Sequence, residues 1–159
     1  EQCSQEVRSI SYLLHPPLLD QLGLVPALRS YVEGFSTRSG VEVAVETPPE
    51  LERLPAEIEL ALFRVVQESL GNILRHSGSR TAALGLRRET ARIVLEVRDN
   101  GNGIPSEKLG AIRQSQPAGG VGIASMQERM RLMNGTLEIE STSQGTTVRA
   151  VAPRVVNES

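Results

Sequence analysis

Residues 63–77 read FRVVQESLGNILRHS, an oily helical segment interrupted by Glu68, Asn72 and His76 at four-residue intervals. Four residues on a helix is one turn plus 40°, so the three side chains form one polar stripe. Two readings stay open for it: a face in water, or a seat for a polar ligand. The apolar positions place the rest. Leu62, Phe63, Val66, Leu70, Ile73 and Leu74 share the other face, and the period predicts a helix from Pro55 to about His76 packed against something apolar.

Working outward, the segments on either side alternate. VEVAVET puts Val41, Val43 and Val45 on one face and Glu42 and Glu46 on the other, which predicts a half-buried strand. RTAALGLRR and ARIVLEVRD follow the helix, with Ala82, Leu84 and Leu86, then Ile93, Leu95 and Val97, directed inward. TLEIES and TTVRAVAP are two further strands. A second helix is expected from Pro26, a favourable first-turn proline, to about Ser39, with Gly40 as its stop signal. A third, VGIASMQERMRLMN, is expected to close on Gly135 as a left-handed cap. Strands this regular have one wet face, so helices should cover only the other. The expected fold is therefore α/β of the α+β type: a two-layer sandwich with a mixed sheet of about five strands, covered on one face by three helices.

The opening CSQEVRSISYLLHPP spaces Cys3, Val7, Ile10 and Leu14 by alternating fours and threes, the seam of a helical pair, and Pro16-Pro17 stops it. Such a stub is too short to be a stable helix alone. It is either the end of a longer helix or an amphipathic helix docked on the domain. The net charge of −2, with Lys and Arg scattered singly, supplies no basic stripe for a phosphate backbone, and nucleic acid is not an expected partner. One cysteine and two histidines form neither a disulfide framework nor a zinc site, and a reducing cytoplasm fits. No apolar run approaches the roughly 20 residues that cross a bilayer, and the opening residues lack a signal-peptide layout.

Two further stretches carry chemistry. In IVLEVRDNGNGIP, strand parity puts Asp99 on the inner face with Ile93, Leu95 and Val97. A carboxylate aimed at the apolar side is costly unless donors meet it. Asp-Asn-Gly is also a common turn string, but a tight hairpin would lead at once into another strand, and Gly103-Ile104-Pro105 leads into a long irregular stretch. Gly101 and Gly103 would let a flat ligand approach the backbone. In PAGGVGIASMQERM, Gly119, Gly120 and Gly122 open a helix whose free N–H groups favour anions, and the same string suits a plain flexible joint. Asn72 and Glu68 offer hard oxygens of the kind that hold half of a magnesium site, the rest coming from water and phosphate. Each motif is ambiguous alone; their order along the chain is not.

In that order the sequence resembles the ATP-binding domain of sensor histidine kinases, within the wider ATPase superfamily shared with gyrase, a heat-shock chaperone and mismatch-repair ATPases. QESLGNILRHS is similar to the N box, VRDNGNGI to the first glycine box, GGVGIASMQERM to the second, and GTTVRAVAP to the closing strand. LLHPPLLDQLGLVPAL together with MQERM is similar to the subgroup of bacterial nitrate sensors and a membrane-fluidity thermosensor.

The resemblance implies that Mg-ATP binds here and that the γ-phosphoryl group passes to a histidine on a dimerisation helix, then to a response regulator. It gives Asn72 the metal and catalytic role, and Glu68 either a place in the metal shell or that of general base. Arg75 and His76 would approach the phosphates. Asp99 would accept the adenine amino hydrogen bond, meeting the inward carboxylate without a second protein residue. Gly101 and Gly103 would flank the purine, Gly120 and Gly122 would hinge a lid over about 102–119, and Thr146 would sit near Asp99. The implied organisation is 1–23 as the end of a dimerisation helix plus linker, 24–155 as the catalytic domain and 156–159 as a tail. A full-length kinase of this kind is a homodimer, cytoplasmic or the cytoplasmic part of a membrane-bound sensor. The acceptor pattern is missing: His15, among prolines, reads as a linker residue, and slow ATP turnover is expected of the chain by itself. The rival readings are a degenerate regulatory module without nucleotide and a serine kinase of the anti-sigma-factor type.

Overall fold

The computed structural model describes residues 17–104, 107 and 121–154. The stub with His15, most of the expected lid, Gly120 and the tail lie outside the described residues. Helix α1 (Pro17–Leu22) and helix α2 (Leu24–Ser39) come first, then strand β1 (Glu42–Glu46) and helix α3 (Ala56–Asn72) with its continuation, a π-helical turn over Ile73–Ser77. Strands β2 (Thr81–Arg88) and β3 (Arg92–Asp99), helix α4 (Val121–Leu132), and strands β4 (Thr136–Thr142) and β5 (Gly145–Pro153) complete the order.

The strands form one sheet in the order β1-β2-β3-β5-β4. Only β1 and β2 are parallel; the other three pairs are antiparallel. The sheet is mixed, as expected. Its inner face carries Leu84, Leu86, Ile93, Leu95, Val97, Ala150 and Ala152, all buried in one cluster with Leu28, Phe63, Val66 and Leu70 of the helices. Among the described residues helices cover that face alone, and the outer face carries the ion pairs of Arg149 with Glu96 and Glu138.

Local chemistry explains the boundaries. Pro17 is the first residue of α1, where a fixed φ and an absent donor cost nothing. Gly23 (φ 91) separates α1 from α2, and Gly40 (φ 77) ends α2 in the left-handed conformation its position required.

Two expectations are corrected. Leu74 is 53% exposed, while Ile73 beside it is buried. The hydrogen-bond pattern changes to the wider π turn at Ile73, and Leu74 sits at the margin of the helix's apolar arc, where that turn leaves it outside. The left-handed residue after α4 is Asn134 (φ 59), not Gly135. Gly135 is small for another reason: a Cβ there would press on the Val151 carbonyl of β5 and on Met130.

Candidate functional site

The end of α3 and the loop after β3 are stitched together by backbone. The Asn102 N–H donates to the Ser77 carbonyl at 2.9 Å, and the Asn100 N–H donates to Ser79 Oγ at 3.2 Å. Ser77 is itself fixed, its hydroxyl donating to the Ile73 carbonyl at 3.0 Å and accepting the Ser79 N–H at 3.0 Å. A Cβ on Gly101 would collide with the Ser77 carbonyl, and one on Gly103 (φ 78) with the Thr142 carbonyl. The small size of both glycines is therefore required by packing within the chain, whatever lies against the loop.

Asp99 ends β3 on the inner face and is 9% exposed. The expectation that a ligand alone would meet this carboxylate needs correcting: the Gly101 N–H donates to Asp99 Oδ1 at 2.8 Å. This is the Asx turn that the Asp-Asn-Gly string encodes. Gly145 packs a strand away; a Cβ there would strike the Asp99 carbonyl. Thr146 follows, and its hydroxyl pairs with Ser141 Oγ at 2.9 Å across β4 and β5. Ser141 Oγ also accepts the Ile104 N–H at 2.6 Å. Thr146 thus belongs to the anchor of the loop that follows Gly103.

On α3, Glu68 and Asn72 are half-buried and His76 is exposed. Arg75 Nη2 donates to Asn72 Oδ1 at 3.0 Å and lies 3.6 Å from Glu68 Oε1. The hard oxygens of Asn72 and Glu68 therefore converge on one positively charged nitrogen, which is the donor chemistry a magnesium half-site needs. Among the described residues no group of three or more His, Cys, Asp or Glu could hold a metal by itself, so any ion here would draw its other ligands from water and substrate oxygens. Gly122 falls in the first turn of α4.

The structure ties Ser77, in the π turn that continues α3, to the Asp99–Gly103 loop, and links Thr146 through Ser141 to Ile104 just after it, while Asn72 meets Arg75 on its own helix. Sequence reading missed Ser77, Ser79 and Ser141, which hold the loop through the Ser77 carbonyl and the Ser79 and Ser141 hydroxyls. Ser77 sits at the end of the helix just before Gly78, a helix-stop signal that marks it as a capping position; Ser141 has no local signal, because its partners are 37 and 5 residues away.

Comparison with known proteins gives the family. Residues 57–156, from the start of α3 past the end of β5, match the family of histidine kinase-, DNA gyrase B- and HSP90-like ATPases. The chain belongs to this family. It is 37% identical over 153 residues to the sensor histidine kinase MctS of Rhizobium johnstonii, covering 96% of this chain and 32% of that protein. It is 37% identical over 150 residues to the oxygen sensor histidine kinase NreB of Staphylococcus carnosus, covering 93% and 41%. With the kinase/phosphatase DegS of Brevibacillus brevis it shares 32% over 154 residues, covering 96% and 38%. The chain thus spans under half the length of these curated relatives. The histidine kinase domain of an Erythrobacter litoralis blue-light activated kinase shares the fold, with a TM-score of 0.75 at 19% identity over 97% of this chain and 75% of that one. No helix among the described residues is long and apolar enough to cross a membrane.

Proposed function

We propose that the chain is the ATP-binding catalytic part of a cytoplasmic sensor histidine kinase, passing the γ-phosphoryl group of ATP to a histidine on the dimerisation helices of the same homodimeric kinase, and thence to a response regulator. The observation that carries the reading is the buried Asp99 carboxylate, fixed by the Gly101 N–H beside the loop that is tied to the end of the α3 helix at Ser77, within a chain of the ATPase family.

Asp99 Oδ1 is already engaged by Gly101, so the carboxylate is held in one orientation and its second oxygen is the acceptor for the adenine amino group. Fixing the base at one end sets the direction in which the triphosphate runs, and phosphoryl transfer asks mainly for such positioning. Asn72, with Glu68 beside it, would hold Mg²⁺, which neutralises phosphate charge when bound. Arg75 and His76, at the end of the same helix, are near enough in sequence and exposed enough to meet phosphate oxygens. Thr146 pairs with Ser141, which accepts the Ile104 N–H and so holds Gly103 and Ile104 beside β4 and β5. The resemblance gives Gly122, in the first turn of α4, and Gly120, outside the described residues, the role of a hinge.

The test is titration calorimetry of Mg·ATP into the wild-type chain beside Asp99→Asn. Binding that is lost or sharply weakened in the variant is expected; equal binding would remove the assignment. Asn72→Ala should weaken Mg-dependent affinity with little change in the unfolding transition, because Asn72 lies off the apolar face.

A further inference from the structure

The Arg75 guanidinium occupies a defined place. One nitrogen, Nη2, faces both Asn72 Oδ1 (3.0 Å) and Glu68 Oε1 (3.6 Å), the two oxygens that converge at the end of α3. Residues 68 and 75 are seven apart, two helical turns, and side chains on a helix lean toward its N-terminus. Arg75 therefore runs back over the turn that precedes it, across Gly71. A Cβ on Gly71 would lie 3.0 Å from Arg75 Nη1 and 3.4 Å from Nη2. Glycine inside a helix is destabilising relative to alanine, so its presence in QESLGNIL asks for a cause. Room for this guanidinium is one.

Resting on the reading of Asn72 and Glu68 as the metal half-site, we propose that Arg75 is the resident cation of that pair in the nucleotide-free domain. Its guanidinium balances Glu68 and engages Asn72 Oδ1, so a divalent ion meets both a like charge and an occupied ligand. Phosphate oxygens offer the guanidinium a better, bidentate partner, and its departure frees Asn72 for the ion. The ion thus enters with the nucleotide and not ahead of it.

The test uses Mn²⁺ alone, without nucleotide, titrated into the wild-type chain, Arg75→Met and Gly71→Ala, with free Mn²⁺ read by electron paramagnetic resonance. Mg·ATP affinity is measured in parallel by calorimetry. Arg75→Met is expected to bind Mn²⁺ about fivefold tighter or more and Mg·ATP weaker, two opposite shifts that a merely damaged fold would not give. Gly71→Ala, which crowds the guanidinium but keeps its charge, should move Mn²⁺ binding the same way by less. Adding Asn72→Ala to Arg75→Met should abolish the gain. Equal or undetectable Mn²⁺ binding in wild type and Arg75→Met, or a gain that survives Asn72→Ala, would overturn the proposal. Failure of the wild-type chain to bind Mg·ATP would instead sink the functional reading, a result the Mn²⁺ comparison does not depend on.

Discussion

Gly101 has no room for a side chain because its α-carbon rests on the Ser77 carbonyl, where the end of α3 meets the loop after β3. Gly101→Ala must push two backbone segments apart, and overpacking of this kind costs about 1–3 kcal/mol. A urea titration of the nucleotide-free variant should show that loss; an unchanged midpoint would mean the glycine is kept only for a ligand. Asp99 makes the complementary point. Strand parity alone put its carboxylate on the inner face, and it is there, but the Gly101 N–H on Oδ1 is visible only once the turn is built. Glu68 and Asn72 were legible as a stripe for the same periodic reason. What the stripe faces was not, because Arg75 reaches it by a rotamer and not by spacing.

At the scale of elements, α1 is joined to α3 by Arg53. Glu59 lies in the middle of the apolar arc of α3, with its side chain 3% exposed, and Arg53 Nη2 meets its Oε1 at 3.1 Å. The same nitrogen donates to the carbonyls of Leu19 and Asp20 at 3.3 and 3.1 Å, in the last turn of α1, where the Leu19 carbonyl also accepts the Gly23 N–H at 3.1 Å. Removing Arg53 leaves a buried carboxylate unpaired. Arg53→Met should cost about 1–3 kcal/mol, below the usual figure for a wholly buried pair because Arg53 itself is half in water. Arg53→Met with Glu59→Leu should recover most of that loss in the same thermal melt; no recovery would show that the carbonyl contacts, not the ion pair, matter.

On the outer face of the sheet, hydrogen bonds from Arg149 and then Arg98 hold the Glu96 carboxyl below its ordinary value of 4.5. A depressed carboxylate contributes stability that is complete above the unfolded value and is lost as pH falls through the folded one. Glu96→Gln should therefore be less stable than wild type at neutral pH, with the difference closing below pH 4.5. A gap that persists at lower pH would point to packing instead of charge.

For the molecule as a whole, the sheet and its helices share one buried cluster, so helical and tertiary signals should vanish together on unfolding. Mg·ATP at a hundredfold excess over its Kd should add about 2.7 kcal/mol to the stability of wild type and far less to that of Asp99→Asn. The sequence by itself determined the kind of each element and the side each residue faces, because backbone geometry imposes periods of two and 3.6 on any chain that must bury an apolar face. Leu74 and Asn134 escaped it where a helix ended irregularly. Only the tertiary structure decided that β5 lies between β3 and β4 and that β1 runs parallel to β2. Only it, too, set Ser77 against Gly101, Ser141 against Thr146 and Ile104, and Arg53 between two helices. Periodicity records which face is buried but not against what, and partners distant in sequence are chosen by packing and hydrogen bonds that no local pattern carries.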